Sequence, residues 1–440
     1  MTKEELKKKL VSAISLGCDK NRVDLECMLG KLNEYGFTIT DDVENSDILI
    51  VNTCAFIQPA MEEAIYNILY AEKLKKNGNV EKVIVTGCFP ERGFAAMQEN
   101  FPQIDRFLRL RENENICQIV EELYGVEKSK LIKNFDRILT TTPSYAYLKI
   151  ADGCNNVCSY CTIPRIRGRY KSTPIDDLVD EAKELVKRGV KELILVAQDT
   201  TRYGEDLYGE NALIKLCDKL SKIKDLKWIR LHYAYPEKVT DELLSYIAKN
   251  PKMCKYLDLP LQHIDDQILR SMRRRLGEDE TRSLIEKIKT NYPQIALRTT
   301  FIVGYPGEKR KDFNKLLDFI KKSEFDYAGF FPYYREENTA SYFMNKQLPR
   351  YIKAYRLKKI ARLQHQIATS RMQSQIGKKI TVLVDSFDEN SGEFCCHSEK
   401  LSPTVDFGIK IIDNGNVKLY DFIEVKLTDF DGSNFKGEVV

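Results

Sequence analysis

Three cysteines, Cys154, Cys158 and Cys161, lie in one short segment with the spacing C-x3-C-x2-C. They follow an apolar run at residues 145–150 that predicts a β-strand. Three thiolates on one loop can hold three irons of a 4Fe–4S cluster and leave the fourth iron open to a substrate or cofactor. The alternative is a structural zinc site, but such sites need four closed ligands, and no fourth Cys or His lies near this loop.

Three further cysteines, Cys18, Cys54 and Cys88, each follow a predicted strand in the first ~140 residues, whose pattern is α/β. Ligands of an open parallel sheet gather beyond the carboxyl ends of its strands, so these thiols should converge and could hold a second cluster with one open iron. Alternatively each is a buried small apolar residue, although three at equivalent strand ends favour the cluster. The alternating runs are strands at 11–16, 48–51 and 83–85 and helices at 24–35 and 60–75.

The middle of the chain repeats strand then helix six times, which predicts a partial parallel barrel with its function at the carboxyl ends of the strands. Gln198 and Asp199 end the second strand, Arg298 lies early in the fifth, and Gly304 ends the fifth. Glycine there allows a cofactor to approach the backbone closely, or else simply shapes a turn. The histidines at 232 and 263 are weak signals. The predicted strands are 145–151, 192–198, 228–234, 256–262, 296–304 and 327–333.

The C-terminal part changes character after a basic helical connector at 352–374. Short β-rich runs separated by Asp, Asn, Ser and Gly predict a small antiparallel barrel. Residues 375–440 hold twelve acidic and seven basic side chains, a net charge of −5 in a chain of +4. Such a barrel suits a basic protein partner better than a phosphate backbone, unless the charge serves only solubility. We interpret Cys395, Cys396 and His397 as strand residues rather than metal ligands.

Composition agrees with an intracellular enzyme. A chain of 440 residues suggests two to four domains, and 43% hydrophobic with 30% charged residues fits neither disorder nor a membrane protein. No apolar run approaches the ~18–20 residues that span a bilayer, and the N-terminus has no apolar signal core. Twelve cysteines in this context indicate metal ligands and free thiols rather than disulfides. We therefore expect a cytoplasmic protein without membrane partners.

These motifs together resemble a known family. The C-x3-C-x2-C loop with Tyr160 before its third cysteine is similar to the radical S-adenosylmethionine (SAM) signature, and the whole chain resembles the radical-SAM methylthiotransferases. Within them it is most similar to the branch that modifies ribosomal protein S12. The segments that carry this resemblance are Ser15-Leu-Gly-Cys18-Asp-Lys-Asn21, Asn52-Thr-Cys54-Ala-Phe, Gln198-Asp199-Thr-Thr-Arg-Tyr-Gly204, Leu257-Asp-Leu-Pro-Leu-Gln262-His263 and residues 298–308. The tRNA-modifying branch usually carries Gln-Met-Asn after its first cysteine and Gln-Asn in place of Gln198-Asp199.

The resemblance implies a three-part fold: an N-terminal open α/β cluster domain at 8–125, a partial (βα)6 radical-SAM barrel at 140–370 and a C-terminal antiparallel β-barrel (TRAM) at 374–440. It implies two 4Fe–4S clusters, one on Cys154, Cys158 and Cys161 and one on Cys18, Cys54 and Cys88. It also implies SAM, two molecules per product, in a pocket that Tyr160, Gln198, Asp199, Arg298 and Gly304 help to line. The tail departs from the family at Cys395-Cys396-His397, where relatives usually have a Gly-Arg-type pair.

The implied reaction adds a methylthio group to the β-carbon of an aspartate of ribosomal protein S12, with electrons from a donor such as flavodoxin or ferredoxin. The nearer rival is methylthiolation of an adenosine in tRNA, which needs a basic TRAM surface that the charge count does not support. A non-enzymatic metal-binding or RNA-binding module is the more distant rival. We expect no tRNA partner.

Overall fold

The structure is a computed structural model that describes residues 1–133, 135–412, 415 and 417–440, with the side chains of 94–96 outside the description. Asp413, counted above among the acidic residues of the tail, therefore lies outside the described residues. The chain divides into two compact units. The first comprises Met1–Thr140, Gly153–Asn155 and Cys161–Tyr170, and the second comprises Thr141–Asp152, Asn156–Tyr160 and Lys171–Val440.

The first unit is an open parallel sheet of five strands in the order β2-β1-β3-β4-β5, flanked by helices. Its strands are β1 (Leu10–Ser15), β2 (Thr38–Ile39), β3 (Ile48–Thr53), β4 (Lys82–Gly87) and β5 (Arg106–Phe107). Its helices are α1 (Lys3–Lys7), α2 (Asp19–Tyr35), α3 (Gln58–Lys76), α4 (Cys88–Asn100), α5 (Ile116–Leu123) and α6 (Ile163–Ile166).

Both faces of this sheet are covered, which explains why the central strand β3 is buried along its whole length and is apolar over residues 48–51. Successive side chains of a strand point to opposite faces. Leu49 and Val51 accordingly pack with Ile68 of α3, whereas Ile48 and Ile50 pack in a second core on the other face. Two-sided burial leaves the carboxyl ends of the strands as the place where polar and thiol groups can gather.

The second unit contains six parallel strands in two three-stranded sheets, β10-β9-β6 and β11-β12-β13. Backbone hydrogen bonds from Cys254 to Ile229 and from Ala234 to Asp258, both 2.9 Å, link the two sheets. The six parallel strands are β6 (Tyr145–Lys149), β9 (Glu192–Val196), β10 (Trp228–Leu231), β11 (Tyr256–Asp258), β12 (Ala296–Val303) and β13 (Tyr327–Pro332). Two short strands, β7 (Ala151–Asp152) and β8 (Lys171–Ser172), form a separate antiparallel pair. The helices are α7 (Ile175–Lys187), α8 (Ala212–Ser221), α9 (Asp241–Lys249), α10 (Asp266–Ser271), α11 (Glu278–Asn291), α12 (Arg310–Ser323) and α13 (Arg350–Gln373).

The C-terminal part of the second unit is a closed five-stranded barrel in the order β14-β15-β16-β18-β17. Four of its five strand pairs are antiparallel, and β16 and β18 pair in parallel because β17 returns the chain between them. Closure leaves no unpaired edge of the kind that promotes aggregation. The strands are β14 (Lys379–Asp388), β15 (Glu393–Ser398), β16 (Gly408–Ile412), β17 (Phe422–Phe430) and β18 (Asn434–Val439).

A buried ionic network joins the two barrels of the second unit. Glu192 pairs with Arg230 at 2.6 Å and with His397 Nε2 at 2.6 Å, and His397 Nδ1 lies 2.7 Å from Asp385. Burial by itself lowers the pKa of His397, but the carboxylates of Asp385 and Glu192 outweigh it and raise that pKa to about 9. His397 is thus a structural residue of β15, as the sequence predicts.

The predicted fold class is confirmed, including the six-stranded partial barrel and the closed C-terminal barrel. The domain limits 8–125, 140–370 and 374–440 stay a prediction. Among the helices of the described chain, none has the length and the apolar run that crossing a membrane requires.

Candidate functional site

The carboxyl ends of β1, β3 and β4 carry Cys18, Cys54 and Cys88. Ser15 is in register with Asn52 of β3, and Thr53 is in register with Gly87 of β4, so the three neighbouring strands end side by side. Cys54 and Cys88 are the first residues beyond their strands, and Cys18 comes three residues after Ser15, as the N-cap of α2. The first unit thus brings together three thiols that are 36 and 34 residues apart in the chain.

Glycine makes this convergence sterically possible. Gly17 has a φ of +93°, and a Cβ built on it lies 2.6 Å from Cys54 Cβ and 3.1 Å from Cys54 Sγ. Gly87 has a φ of +95°, and its Cβ falls 2.3 Å from the carbonyl oxygen of Thr53. Real side chains do not tolerate such contacts, so both positions require a residue without Cβ. The close approach of Gly17 sets the Cys18 turn directly against Cys54.

Two buried asparagines fix the strand ends to one another. Asn21 donates from Nδ2 to the carbonyls of Leu16, at 2.9 Å, and Thr53, at 3.0 Å. Asn52 donates from Nδ2 to the carbonyl of Asn21 at 2.7 Å. Asn21 and Asn52 are fully buried. Because buried amides without partners are costly, this pair specifies the geometry of the turn as well as stabilising it.

A buried arginine lies beside the first triad, which consists of Cys18, Cys54 and Cys88. The side chain of Arg167 is only 1% exposed, and its Nη2 lies 2.9 Å from Asp24 Oδ2, 3.2 Å from Asn21 Oδ1 and 3.9 Å from Cys88 Sγ. Arg167 follows the C-x3-C-x2-C segment in sequence and belongs to the first unit. A guanidinium here stabilises negative charge on the thiolates and on anything that they bind.

The thiols of this triad also perturb one another. Burial raises the pKa of Cys88 to about 12; the charge of Arg167 opposes that rise, and Cys18 and Cys54 add to it. Burial likewise raises the pKa of Cys54. Thiols become metal ligands only as thiolates, so cationic iron must displace their protons. Three convergent thiols with one adjacent cation fit a 4Fe–4S cluster that has three protein ligands.

The second triad begins at Cys154, in the first unit. The backbone N–H of Cys154 donates to Gly168 at 3.1 Å, and Tyr170 donates to the side chain of Asn155 at 3.0 Å. Gly153 has a φ of +74°, and a Cβ on it would lie 2.2 Å from the carbonyl oxygen of Arg169. The backbone of residues 168–170 therefore holds the start of the cysteine loop in a conformation that only glycine permits. Cys161, the third member, also belongs to the first unit.

Cys158 belongs to the second unit, where an arginine and a tyrosine contact its sulfur. Cys158 Sγ lies 2.9 Å from Tyr235 Oη and 3.9 Å from Arg274 Nη1. The guanidinium of Arg274 stacks 3.8 Å from the centre of the Tyr235 ring. Burial, with Cys158 beside it, raises the pKa of Tyr235 despite that guanidinium, so the phenol stays protonated and can donate to a thiolate.

Gln198 and Asp199 lie where the loop after β9 begins. Asp199 is fully buried and accepts hydrogen bonds from Asn156 at 2.9 Å and Thr201 at 2.6 Å, while its pKa is raised by burial. Gln198 donates from Nε2 to Asp152 at 3.3 Å, whereas its Oε1 is buried and accepts no hydrogen bond from the described residues. An unpaired buried acceptor is costly, so Gln198 Oε1 is suited to a donor on a bound ligand.

Gly304 begins a turn at the carboxyl end of β12, with a φ of +76°. Its N–H and that of Tyr305 both donate to the carboxylate of Glu308, and Arg356 of α13 pairs with Glu308 at 2.8 Å. Burial raises the pKa of Glu308 to about 7 even though Arg356 and the two N–H groups oppose that rise. Tyr160 packs against a nearby cluster of Ile268, Met272, Tyr305 and Tyr333.

Arg298 does not lie at the carboxyl ends of the barrel strands. It occupies the third position of β12, in register with Asp258 and with Tyr327, the first residue of β13. Its guanidinium pairs with Asp258 at 3.0 Å and with Asp406 of the C-terminal barrel at 3.4 Å. Six residue steps of extended chain, ~20 Å at ~3.3 Å per residue, separate it from Gly304. The structure therefore does not bring Arg298 together with Gly304.

The histidines have structural environments. His232 Nε2 lies 2.8 Å from Ser402 Oγ. His263 is fully buried and accepts from the N–H of Asp265 at 3.0 Å, and burial lowers its pKa to about 3. In the described part of the chain, no three His, Cys, Asp or Glu side chains are grouped tightly enough for a single metal ion. Ligands of a four-iron cluster bind different irons, so they need not meet that criterion.

Sequence reasoning missed three side chains that support the two triads, Arg167, Tyr235 and Arg274, and it gave Asn21 no role beyond the family resemblance. Arg167 has the clearest sequence signal, because it follows the third cysteine by six residues and precedes Gly168. Arg274 is the middle of three consecutive arginines, a run that usually indicates a solvated surface. Tyr235 gives no signal in the sequence.

Comparison with known proteins agrees with the geometry. The chain matches the radical SAM superfamily over residues 148–320, the uncharacterized protein family UPF0004 over 10–109 and the TRAM domain over 376–440. The structure is similar to that of the radical SAM methyltransferase TsrM from Kitasatospora setae, with a TM-score of 0.54, 14% identity and coverage of 76% and 77% of the two chains. It also resembles the cobalamin-dependent radical enzyme OxsB, with a TM-score of 0.52, 12% identity and coverage of 89% and 64%. These likenesses show the fold alone.

Curated relatives cover nearly the whole chain. The ribosomal protein uS12 methylthiotransferase RimO of Elusimicrobium minutum is 42% identical over 98% of this chain and 99% of its own. The RimO of Desulforamulus reducens is 43% identical over 95% and 96%. The fold and the matches define a radical-SAM enzyme that uses iron–sulfur clusters and SAM. The chain belongs to the RimO family of methylthiotransferases.

Proposed function

We propose that this chain adds a methylthio group to the β-carbon of an aspartate of ribosomal protein uS12, with one cysteine triad for each of two 4Fe–4S clusters. The observation that carries the proposal is the first triad, which is present in addition to the C-x3-C-x2-C loop. A radical-SAM enzyme that only forms a radical needs one cluster, whereas a methylthiotransferase also needs a site that carries sulfur. Cys18, Cys54 and Cys88 supply such a site beside Arg167.

The two triads have different roles in this proposal. Cys154, Cys158 and Cys161 hold the cluster that cleaves SAM, and Cys18, Cys54 and Cys88 hold the cluster that carries the sulfur. When bound, the clusters and SAM supply the electron, the hydrogen abstraction and the transferred sulfur and methyl groups. The protein orients these groups: Asn21 and Asn52 fix the first triad, and Arg274 and Tyr235 contact Cys158.

SAM occupies the carboxyl ends of the barrel strands, where Tyr160, Gln198 and Gly304 lie. Gln198 Oε1 is a buried acceptor without a partner among the described residues, and a SAM hydroxyl or amino group can supply the missing donor. Asp199 acts by fixing Asn156 of the cysteine loop. Arg298 keeps its predicted place in the SAM site only if that site extends ~20 Å along β12; its two carboxylate partners favour a role in joining the barrels.

The proposal extends to location and partners. A basic ribosomal protein is attracted by the acidic C-terminal barrel, and the same charge disfavours tRNA. We place the enzyme in the cytoplasm, with a low-potential donor such as flavodoxin or ferredoxin. A tRNA adenosine substrate is the competing possibility, and it is tested below.

Iron content and SAM cleavage in two triple variants test the division of roles. The reconstituted chain should bind about eight irons, and replacement of either triad by alanine should leave about four. The Cys18/Cys54/Cys88 variant should still release 5′-deoxyadenosine but form no methylthio product. The Cys154/Cys158/Cys161 variant should release none. Cys27→Ala with Cys395→Ala, outside both triads, is the matched control and should behave as wild type.

The substrate is tested by mass spectrometry of uS12 and of tRNA after incubation with the wild-type enzyme. We expect a methylthio group on a uS12 aspartate and unmodified tRNA. Modified tRNA adenosine with untouched uS12 would replace the proposed substrate. Loss of SAM cleavage in a folded Cys18/Cys54/Cys88 variant would refute the division of roles.

A further inference from the structure

The long helix α13 has an unusual charge pattern. Its 24 residues include seven Lys or Arg and neither Asp nor Glu. Three of the seven have structural partners: Lys353 donates to the carbonyl of Tyr333 at 2.8 Å, Arg356 pairs with Glu308, and Arg371 pairs with Asp326. The other four, Arg350, Lys358, Lys359 and Arg362, are exposed and make no ion pair with any described residue.

Two tyrosines share the surface of these free cations. Tyr351 is 73% exposed and Tyr355 is 63% exposed. Positions 351, 355, 358 and 362 follow one another at helical spacing and therefore lie on one face. Such large exposed rings on a stable helix indicate a partner that covers them. We call this the basic–aromatic face, and its residues are Tyr351, Tyr355, Lys358, Lys359 and Arg362; Arg350 adds a cation at the start of the helix.

The face begins at the catalytic end of the radical-SAM barrel. Lys353 packs on Gly304, whose added Cβ would lie 2.5 Å from Lys353 Cγ, and Arg356 contacts Glu308. Further along α13, Gln364 donates to the carbonyl of Phe325, just before β13 begins. The helix thus runs antiparallel to β13, away from the carboxyl ends of the strands. Tyr351 and Tyr355 lie near the carboxyl ends of the barrel strands, and Lys358, Lys359 and Arg362 follow them along the helix.

We propose that the basic–aromatic face binds RNA, namely the ribosomal RNA that carries uS12, an inference that rests on the proposed substrate. A run of cations without acidic neighbours matches a phosphate backbone, and exposed aromatic rings offer stacking surfaces for bases. From Tyr351 to Arg362 the helix rises ~16 Å at ~1.5 Å per residue, a length that faces several successive phosphates. The acidic C-terminal barrel and this basic face then bind the protein and the RNA of one ribonucleoprotein substrate.

Fluorescence anisotropy with a labelled single-stranded RNA of about 12 nucleotides, within the ~4–16-nucleotide sites of sequence-tolerant binders, tests the face directly. The wild type should bind, with an affinity that falls as salt rises. The variant K358Q/K359Q/R362Q should bind more weakly, and its slope of log affinity against log salt should be smaller by ~2, since each lost contact to a single strand contributes ~0.7. The variant Y351A/Y355A should lose roughly tenfold for each stacked base with an unchanged salt slope.

The matched control is K215Q/K224Q/K249Q, which removes three exposed lysines from other surfaces of the same unit. It should bind RNA as the wild type does. A wild type that fails to bind RNA at low salt, or a control that loses as much affinity as the face variants, overturns the proposal. The variant K358Q/K359Q/R362Q could instead lose binding to an acidic electron donor such as flavodoxin while it binds RNA as the wild type does. That result would assign the face to the electron donor.

Methylthiolation separates this inference from the proposed function. For a peptide from uS12, both face variants should have wild-type kcat and KM, because no RNA is present. For uS12 within purified small ribosomal subunits, KM should rise in both variants and not in the control. If the wild type, the two face variants and the control all modify the peptide and show equal KM for the subunits, that result refutes the RNA-binding face and leaves the proposed substrate standing. If the wild type modifies neither the peptide nor uS12 within the subunits, the proposed substrate is refuted. The RNA-binding face is then still tested by fluorescence anisotropy.

Discussion

Each of the two cysteine triads presents three thiols, but the fold brings the thiols together in opposite ways. Cys154, Cys158 and Cys161 lie within eight residues, so covalent connection alone keeps them near one another. Cys18, Cys54 and Cys88 span more than seventy residues and meet only because β1, β3 and β4 are parallel neighbours in register. A local triad is robust to changes elsewhere in the fold. An assembled triad depends on every contact that aligns its strands.

This contrast explains where the supporting residues are. The loop triad needs Gly153 and a few backbone hydrogen bonds at its start. The assembled triad uses two positive-φ glycines, two buried asparagines and a buried arginine. Single substitutions should therefore abolish the assembled site while the loop site survives.

The largest effect should come from Gly17→Ala. The added Cβ lies 2.6 Å from Cys54 Cβ, and the φ of +93° disfavours any side chain, so the Cys18 turn cannot keep its place. Iron should fall from about eight to about four per chain, methylthio product should vanish and 5′-deoxyadenosine should still be released. Iron analysis and product chromatography measure all three.

Gly78→Ala is the control for this substitution. Gly78 has a φ of +80° in the same unit, with nothing within 4 Å of an added Cβ. It therefore shares the backbone strain but not the collision, and it should keep about eight irons. Full iron content and product formation in Gly17→Ala would contradict the dependence of the assembled triad on this contact.

A smaller effect is expected from Arg167→Met. It removes a buried cation beside Cys88 and leaves Asp24 without that partner, a kind of change that costs ~3–5 kcal/mol. In a chain that also lacks Cys154, Cys158 and Cys161, the reduction potential of the remaining cluster should fall by on the order of 50 mV, because a cation favours the reduced, more negative state. Redox titration followed by electron paramagnetic resonance measures the shift.

Arg165→Met is the matched control, since Arg165 is exposed on the same segment. It should leave the potential unchanged. Equal potentials in Arg167→Met and the wild type would show that Arg167 acts on the fold of the first unit rather than on the charge of the triad.

The smallest effect extends the contrast to His397, which meets Glu192 across 205 residues. Its pKa rises to about 9 in the fold from an ordinary value of 6.5, so the folded state binds the proton more tightly. The resulting stabilisation, about 3 kcal/mol, is fully present below pH ~6.5 and is lost as pH rises through ~9. The free energy of unfolding of the second unit, measured by denaturant titration, should therefore decline between these values.

His397→Gln should flatten that decline. His365→Gln changes an exposed histidine of the same unit and should keep the wild-type profile. Identical pH profiles for the wild type and His397→Gln would show that the proton on His397 does not hold the two barrels together.

The sequence alone determined the chemistry and the order of the elements. The spacing of Cys154, Cys158 and Cys161 identifies a cluster loop because its geometry is local, and short continuous apolar runs between helical patterns predict the strands because parallel strands are covered on both faces. It also indicated Cys18, Cys54 and Cys88, since parallel strands end at a common edge.

Only the tertiary structure decided which side chains support these sites and which lie apart. Arg167, Arg274 and Tyr235 act through contacts between segments distant in the chain, which no local pattern encodes. Arg298 shows the converse: it lies in β12 and Gly304 directly follows that strand, yet six residue steps of extended chain place them ~20 Å apart. Local spacing fixes which atoms can react together along the chain, whereas register, burial and the charges of distant partners fix where each atom lies.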